Sequence, residues 1–381
     1  MSKVHYEKTL YGLNKNKGIK VWSISVIEPE WLPGMAVIKA LHGIEGGKMA
    51  ANEKTIKVGK NIGKSNETTP IEQAISEAKS TEQRKRDSGY ADTAELAKAS
   101  QNPFFKPMLA SSWDKHSHKI NFPCYVQPKL DGCRMLAEMN NDGEVSVWSR
   151  GRKVIDTVDH IKSELKLLLK PGEAVDGEIY VHGWTFQRIT KAIKKKREDT
   201  LRLEYHIYDA PKISHYIKFR NRFEVLSFRE SVVGIWEKGI NHLKLVNTKL
   251  VKNIDELTQE EEKAVKLNYE GLMVRNVNSE YLFGHRSYDL QKVKRFEDSE
   301  FTIVGVTDGV GKEEGAAVFT VSDNSVTFNV RPTGTHEERK RLYQNRSKLI
   351  GKTLTVKFQG KSEDGVPRFP VGVGIREDWD M

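Results

Sequence analysis

Between Tyr125 and Arg134 the chain reads Tyr-Val-Gln-Pro-Lys-Leu-Asp-Gly-Cys-Arg. The apolar start is typical of a short β-strand, and the Asp131-Gly132 pair indicates a turn directly after it. Lys129 therefore stands at the end of a strand. A lysine followed by Asp-Gly also occurs in ordinary turns, so this segment alone leaves both a structural and a catalytic lysine open.

Charged and aromatic segments surround this lysine in a fixed order along the chain. Upstream stands Lys106-Pro107-Met108-Leu109-Ala110. Downstream follow Ser149-Arg150-Gly151-Arg152-Lys153, Asp176-Gly177-Glu178-Ile179-Tyr180, Tyr205-His206-Ile207-Tyr208-Asp209, Glu270-Gly271-Leu272-Met273-Val274-Arg275 and Leu290-Gln291-Lys292-Val293-Lys294. Because these segments carry complementary chemistry, the ordered set favours a catalytic Lys129.

This set resembles the motifs of the covalent nucleotidyltransferase superfamily, which contains DNA ligases, RNA ligases and capping enzymes. Residues 129–134 are similar to motif I, whose lysine attacks the α-phosphate of ATP. Motifs Ia, III, IIIa, IV and V are matched, in that order, by residues 149–153, 176–180, 205–209, 270–275 and 290–294. The resemblance covers about residues 101–381 and implies an ATP-dependent DNA ligase with Lys129 as its nucleophile.

The chemistry of these side chains agrees with that assignment. A lysine amine has an ordinary pKa of about 10.4 and needs nearby positive charge or desolvation to lose its proton. Arg134, Lys292 and Lys294, with a bound Mg²⁺, would supply such a field. The same cations would neutralise charge on the phosphate and on the departing pyrophosphate.

The acidic and polar residues are expected to bind the metal and the nucleotide. Mg²⁺ prefers oxygen ligands, so Glu270 is its predicted carboxylate, while Glu178 either shares that role or accepts a hydrogen bond from the ribose. Tyr208 offers a face for stacking adenine. Gln127 is placed to accept from the exocyclic amine of adenine, but an amide also donates and therefore discriminates poorly.

Each of these residues has a structural alternative. Glu178 and Glu270 could be solvated carboxylates at strand ends, and Tyr208 could belong to the core. Lys292 and Lys294 alternate along a strand and could form a solvent-facing stripe.

Two further groups of basic residues are candidates for contact with DNA. Motif Ia implies that Ser149, Arg150 and Arg152 touch phosphates beside the nick, which would position the duplex without reading its sequence. The second group is either a DNA surface or a solvated helix face; its members are Lys191, Lys194, Lys195, Lys196 and Arg197.

The carboxyl-terminal segment resembles motif VI, which reads Arg-x-Asp-Lys in ligases. Arg376 and Asp378 match, and Arg376 is expected to bind the nucleotide, but Trp379 stands in place of the lysine. The second cation that would orient pyrophosphate is therefore missing at this position. Lys361 or Arg368 could share that task.

The pattern along the chain predicts an α+β protein of three domains. Residues 1–98 form a small β-rich domain, residues 99–296 an adenylation domain of antiparallel sheets with helices, and residues 297–381 an OB-fold barrel. Strands are predicted at residues 301–306, 318–321, 326–330 and 353–358, with one helix at about 336–349.

The first 98 residues lie outside the predicted ligase motifs. A strand is expected at residues 20–26, followed by a Gly/Lys/Asn-rich stretch at 43–66 and a helix beginning at Pro70, with Thr69 as its N-cap and Glu72 at N3. This region faintly resembles WGR-type modules, which bind DNA ends. The alternative is an unrelated small domain packed on the catalytic core.

Composition limits the class of protein and its partners. The 381 residues carry a net charge of +10, which favours a polyanionic partner. Two cysteines without metal-type spacing indicate a reducing, intracellular compartment, and we expect a cytoplasmic monomer that acts without a membrane, as a viral or phage protein in its host would.

The predicted activity is the sealing of nicks in double-stranded DNA. ATP adenylylates Lys129, AMP passes to the 5′-phosphate, and the 3′-OH displaces AMP. Three alternatives remain: an ATP-dependent RNA ligase, a GTP-dependent capping enzyme and a non-catalytic nick-binding module. Dependence on NAD is disfavoured because the chain lacks the four-cysteine zinc pattern that NAD-dependent ligases carry.

Overall fold

The computed structural model describes residues 2–14, 18–99, 104–213, 216–232, 241–294, 296–310, 313–323, 325–362 and 364–376. The chain divides into two compact units. The first contains Met1–Pro107, Met135–Glu138 and Glu144–Asp156, and the second contains Met108–Arg134, Met139–Gly143 and Thr157–Met381. The predicted domain boundaries at residues 98 and 296 stay predictions.

Within the first unit, residues near position 104 and residues of the strand Val145–Ser149 and its following turn make specific contacts. The ring of Phe104 stacks on Trp148 at 4.5 Å between centroids, and the Trp148 indole N–H donates to the carbonyl of Phe105 at 3.1 Å. The guanidinium of Arg152 donates to the carbonyl of Ser88. Side chains of the central region thus belong to the same unit as the amino-terminal sheet.

The amino-terminal region is a four-stranded antiparallel sheet, β1 to β4 in sequence order, followed by two helices. The elements are β1 Lys3–Leu13, β2 Ile19–Glu28, β3 Ala36–Ile44, β4 Met49–Ile56, α1 Pro70–Asp87 and α2 Ala94–Ala99. Ala74 and Ala78 of α1 pack on Leu10, Trp22 and other buried apolar residues of the sheet. Burial of this apolar face is what stabilises the region.

The start of α1 confirms the predicted helix boundary. Thr69 accepts from the N–H of Glu72 at 3.2 Å, and the Glu72 carboxylate accepts from the N–H of Thr69 at 2.8 Å, which completes a capping box. The helix ends at Asp87, and Gly89 follows with φ +95°.

Two five-stranded sheets form the central region, ordered β11-β10-β9-β7-β8 and β12-β6-β13-β14-β5. Their strands are β5 Leu109–Ser112, β6 Cys124–Pro128, β7 Cys133–Met139, β8 Val145–Ser149, β9 Ala174–Tyr180, β10 Glu204–Lys212, β11 Leu243–Leu245, β12 Lys249–Val251, β13 Gly271–Asn276 and β14 Arg286–Lys294. The helices are α3 Trp113–His116, α4 Asp159–Leu168, α5 Phe186–Lys194, α6 Phe219–Val232 and α7 Ile254–Lys266. Most pairs are antiparallel, as predicted, but β10 with β11 and β14 with β5 are parallel.

The carboxyl-terminal region is a closed barrel in the order β15-β16-β17-β19-β18, which confirms the predicted OB-type fold. Its elements are β15 Glu297–Asp308, β16 Ala317–Ser322, β17 Thr327–Pro332, α8 His336–Gln344, β18 Thr353–Phe358 and β19 Val371–Ile375. Alternate residues such as Phe301, Ile303 and Phe319 fill its core. None of the described helices combines the length and the apolar character that a membrane crossing requires.

Candidate active site

Lys129 directly follows β6, and its backbone continues the pairing of β6 with β13. Its N–H donates to the carbonyl of Gly271 at 2.9 Å, and its own carbonyl accepts from the N–H of Glu270 at 3.0 Å. The Nζ of Lys129 forms an ion pair with the Glu270 carboxylate, and Lys294 of β14 pairs with the same carboxylate. The structure therefore brings together three residues that the sequence assigned to one site.

A row of side chains crosses the sheet beside this cluster. Met273 is the register partner of both Gln127 on β6 and Lys292 on β14, so the three share one face. Burial, reinforced by repulsion from Lys294, lowers the pKa of Lys292. At Glu270 burial alone would raise the pKa, but the two paired lysines hold it below the ordinary value.

Two glycines allow the backbone segments to approach one another at this site. A Cβ on Gly132 would lie 2.3 Å from the carbonyl oxygen of Ile179 and 2.8 Å from the Cγ of Glu178. Gly271 has φ +142°, and a Cβ there would lie 2.3 Å from the carbonyl oxygen of Val293. Glycine is required at both positions because any side chain would push these segments apart.

Glu178 of β9 differs electrostatically from Glu270. Burial raises the pKa of Glu178 to about 8, although Lys129 and Arg134 oppose the shift. A carboxyl group in this state gains from a cation, because the cation offsets the desolvation that favours the protonated form. Glu178 therefore fits a metal-binding role.

Arg134 belongs to a buried network around Asp176. Its Nε donates to the Asp176 carboxylate at 2.9 Å, and the hydroxyls of Tyr208 and Tyr281 donate to the same carboxylate at 3.1 and 2.6 Å. The Arg134 guanidinium lies 5.8 Å from the centre of the Tyr208 ring. The contacts with Arg134 and Asp176 thus hold the half-buried ring of Tyr208 in place.

Gln127 forms hydrogen bonds to Tyr208 of β10 and to Thr248. Its Nε2 donates to the carbonyl of Tyr208 at 3.1 Å and to the hydroxyl of Thr248 at 2.8 Å. Only 4% of Gln127 is exposed, so these bonds fix its amide. Thr248, in the turn after β11, is a site residue that no pattern in the sequence indicates.

Two contacts connect the barrel to the lysine cluster. Arg368 donates to both carboxylate oxygens of Asp131 at 2.8 and 3.2 Å, and Asp131 lies two residues after Lys129 in the chain. Lys294 donates to the Oε1 of Gln359 at 2.8 Å. Arg368 was a secondary candidate from the sequence, whereas Asp131 and Gln359 were missed as contact residues, since residues so far apart in the chain show no local signal of contact.

The remaining candidates lie at the following positions in the chain. Arg376 pairs with Glu300 of the barrel at 2.9 Å, and Asp378 and Trp379 lie outside the described residues. Ser149, Arg150 and Arg152 end β8 and form the following turn in the first unit, with Arg152 at φ +65°. The five basic residues from 191 to 197 are all exposed, and Lys196 pairs with Asp159.

Comparison with known proteins connects this geometry to a family. Residues 107–294 match the ATP dependent DNA ligase domain, and residues 308–376 match the DNA ligase OB-like domain. The DNA ligase of African swine fever virus (isolate Pretoriuskop) is 29% identical over 356 residues, covering 88% of this chain and 82% of the viral protein. The chain belongs to the ATP-dependent DNA ligases. It is therefore an enzyme that uses ATP and acts on DNA, and the RNA ligase, capping-enzyme and non-catalytic alternatives are not favoured.

Other relatives extend the comparison. The DNA ligase of phage T4 is 24% identical to this ligase, over 71% of the chain and 68% of the phage protein. A solved Lig E DNA ligase structure has a TM-score of 0.58 at 23% identity, covering 72% of this chain and all of the other, and Pmar-Lig_PreS3 has a TM-score of 0.64 at 22%, covering 74% and 71%. The match to the viral ligase covers 88% of this chain, which is more than residues 99–381 alone could supply. The match therefore extends into the amino-terminal region.

Proposed function

We propose that Lys129 is the nucleophile of this ligase. Its neutral amine attacks the α-phosphorus of ATP, a P–N bond forms, the bond to the β-phosphate oxygen breaks, and pyrophosphate leaves. The pairing of Lys129 with Glu270, beside Lys294, is the observation that carries the proposal. Lys129 must leave this pair and attack as the neutral amine.

The later steps use the same residues. An oxygen of the DNA 5′-phosphate attacks the α-phosphorus, the P–N bond breaks, and the Lys129 amine takes up a proton. The 3′-OH then attacks the 5′-phosphate and AMP leaves. Lys292 and Lys294 would neutralise the charge that develops on the phosphates in each step.

Glu270 and Glu178 would hold Mg²⁺ together with phosphate oxygens of the substrate, which is how this ion is usually bound in nucleotide enzymes. When bound, the ion would polarise the phosphate and neutralise its charge. The raised pKa of Glu178 supports this assignment, as does the closeness of Glu270 to the nucleophile.

Tyr208 would stack on adenine, with Arg134 supporting its ring and Gln127 accepting from the exocyclic amine. The substrate we propose is a nicked duplex, with Ser149, Arg150 and Arg152 on phosphates beside the nick and Arg376 on the nucleotide. We also propose that the ligase acts as a monomer inside the cell, where its two cysteines, both free thiols, stay reduced.

Labelling with α-³²P-ATP tests the nucleophile. Lys129→Ala should form no covalent AMP adduct and seal no nick starting from ATP, whereas Lys252→Ala, which removes an exposed lysine outside the site, should behave as the parent does. Substantial labelling of folded Lys129→Ala would refute the assignment. A nicked DNA duplex and an RNA analogue, offered side by side, test the substrate: preference for the RNA would reject the proposed duplex.

A further inference from the structure

The amide of Gln127 has only one orientation compatible with its neighbours. The carbonyl oxygen of Tyr208 can only accept a hydrogen bond. The hydroxyl of Thr248 donates its single proton to the carbonyl of Val246 at 2.9 Å, so it also accepts from Gln127. Both hydrogens of the amide are therefore used, and a reversed amide would set its oxygen against two other oxygens.

This arrangement leaves Oε1 as the group that Gln127 presents to a ligand. Oε1 has no hydrogen-bond partner among the described residues, and Gln127 keeps 4% of its surface exposed. Because side chains alternate along β6, Gln127 lies on the same face as Lys129, two residues on. An oxygen at this position only accepts, which removes the ambiguity of an amide read from sequence alone.

We propose that Thr248 is a positioning residue for nucleotide choice, fixing the Gln127 amide so that the base subsite selects a 6-amino purine over a 6-oxo purine. The inference rests on the proposed placement of adenine beside Gln127. The 6-amino group of adenine donates to Oε1, whereas the 6-oxo group of hypoxanthine would oppose it, oxygen against oxygen. A site built to pair one group rejects the other because a buried polar atom is left unsatisfied.

Thr248→Val tests the role of the hydroxyl, with Thr248→Ser as the matched variant that keeps it. The half-buried turn position should tolerate both changes. In Thr248→Val the amide loses one of the two hydrogen bonds that hold its orientation. The reversed orientation, which presents an N–H to a 6-oxo group, then becomes more accessible. The measurement is kcat/KM for labelling of the protein with α-³²P-ATP and with α-³²P-inosine triphosphate.

We expect the preference for ATP to fall about tenfold in Thr248→Val, as for the loss of one directing hydrogen bond, with faster use of inosine triphosphate. Thr248→Ser should keep the parental preference. Equal losses with both nucleotides, or an unchanged ratio, would overturn the role of Thr248, since a purely structural defect cannot improve the second substrate. Thermal unfolding shows whether each variant is folded. If the Thr248→Val protein is unfolded, Thr248→Ala takes its place.

The outcome also separates this inference from the proposed function. If the parent protein used both nucleotides equally well, adenine would not lie beside Gln127 and both the placement and the inference would fail. The assignment of Lys129 would stand in that case, because it is tested independently by loss of labelling in Lys129→Ala.

Discussion

Glu178 and Glu270 show how two similar residues acquire different properties from their surroundings. Two lysines form ion pairs with Glu270 and lower its pKa. Burial instead raises the pKa of Glu178 to about 8 from an ordinary value of 4.5. Between those two pH values the folded protein binds more protons at Glu178 than the unfolded chain does. The stability that depends on this group therefore falls as the pH rises from about 4.5 towards 8.

Glu178→Gln removes this pH-dependent loss of stability because glutamine does not ionise. In nucleotide-free and metal-free protein, the Tm of Glu178→Gln minus that of the parent should grow between pH 4.5 and 8 and then level off. Glu262→Gln, at an exposed position of α7, provides the matched control and should give a flat difference. A difference for Glu178→Gln that stays constant with pH would contradict the assigned pKa.

The role of Arg376 in the release of pyrophosphate remains a prediction. Its guanidinium is held by exposed Glu300 and must leave that pair to reach the nucleotide. Arg376→Ala should slow adenylylation of Lys129 by about 10²–10³-fold, as for loss of one charge-stabilising donor. Sealing of pre-adenylylated nicked DNA should change little, because pyrophosphate has already gone.

Single-turnover rates for the two steps decide this point. Arg346→Ala removes an exposed arginine from the same barrel and should leave both rates unchanged. If Arg376→Ala slowed both steps equally, or did not slow the first, the proposed role in pyrophosphate release would fail.

Among the elements, those with local signals were predictable and those paired over long distances were not. Thr69, Pro70 and Glu72 lie within one turn, so the start of α1 could be predicted from four residues. Strand β4 falls in the Gly/Lys/Asn-rich stretch and is exposed along most of its length, so it carries little apolar pattern. The partners of Lys129 followed from the motifs, but its place beside the barrel depends on a contact between residues 131 and 368, which no local pattern encodes.

The two central sheets are linked by a buried ion cluster on β10, β13 and α6. Asp209, next to Tyr208 in sequence, accepts from the Nε of Arg222 at 2.8 Å and also pairs with Arg275 of β13. The Arg275 guanidinium lies 4.1 Å from the centre of the Phe219 ring. Removing one partner from such a cluster leaves buried charge uncompensated.

Asp209→Asn should therefore lower the free energy of unfolding by about 3–5 kcal/mol, measured by urea denaturation. Asp142→Asn, in an exposed turn, should change it little. A cost for Asp209→Asn no larger than that of Asp142→Asn would show that the cluster contributes little to holding the sheets together.

At the scale of the whole molecule, some basic side chains are engaged in contacts within the protein, whereas others are exposed to solvent. The basic end of α1 is largely satisfied within its own unit: Arg86 binds Asp92 at 2.7 and 2.8 Å, and the Lys85 Nζ lies 4.9 Å from the centre of the Tyr90 ring. Lys57 and Lys64, in the segment between β4 and α1, are exposed. Any contact of this region with DNA is therefore expected from the exposed lysines rather than from the end of α1.

Removal of residues 1–98 tests whether the amino-terminal region supports the ligase. The cut keeps Phe104 and Phe105, which pack on Trp148, so adenylylation of Lys129 should stay nearly intact. Affinity for nicked DNA should fall, and its dependence on salt should become shallower, because fewer phosphate contacts release fewer counterions. Binding measured across a salt series gives both quantities. Substituting Lys57 and Lys64 with alanine in the full chain should shift the affinity in the same direction by a smaller amount. Unchanged affinity and salt dependence in the truncated protein would reduce the region to a structural appendage, even though the match to the African swine fever virus ligase extends into it.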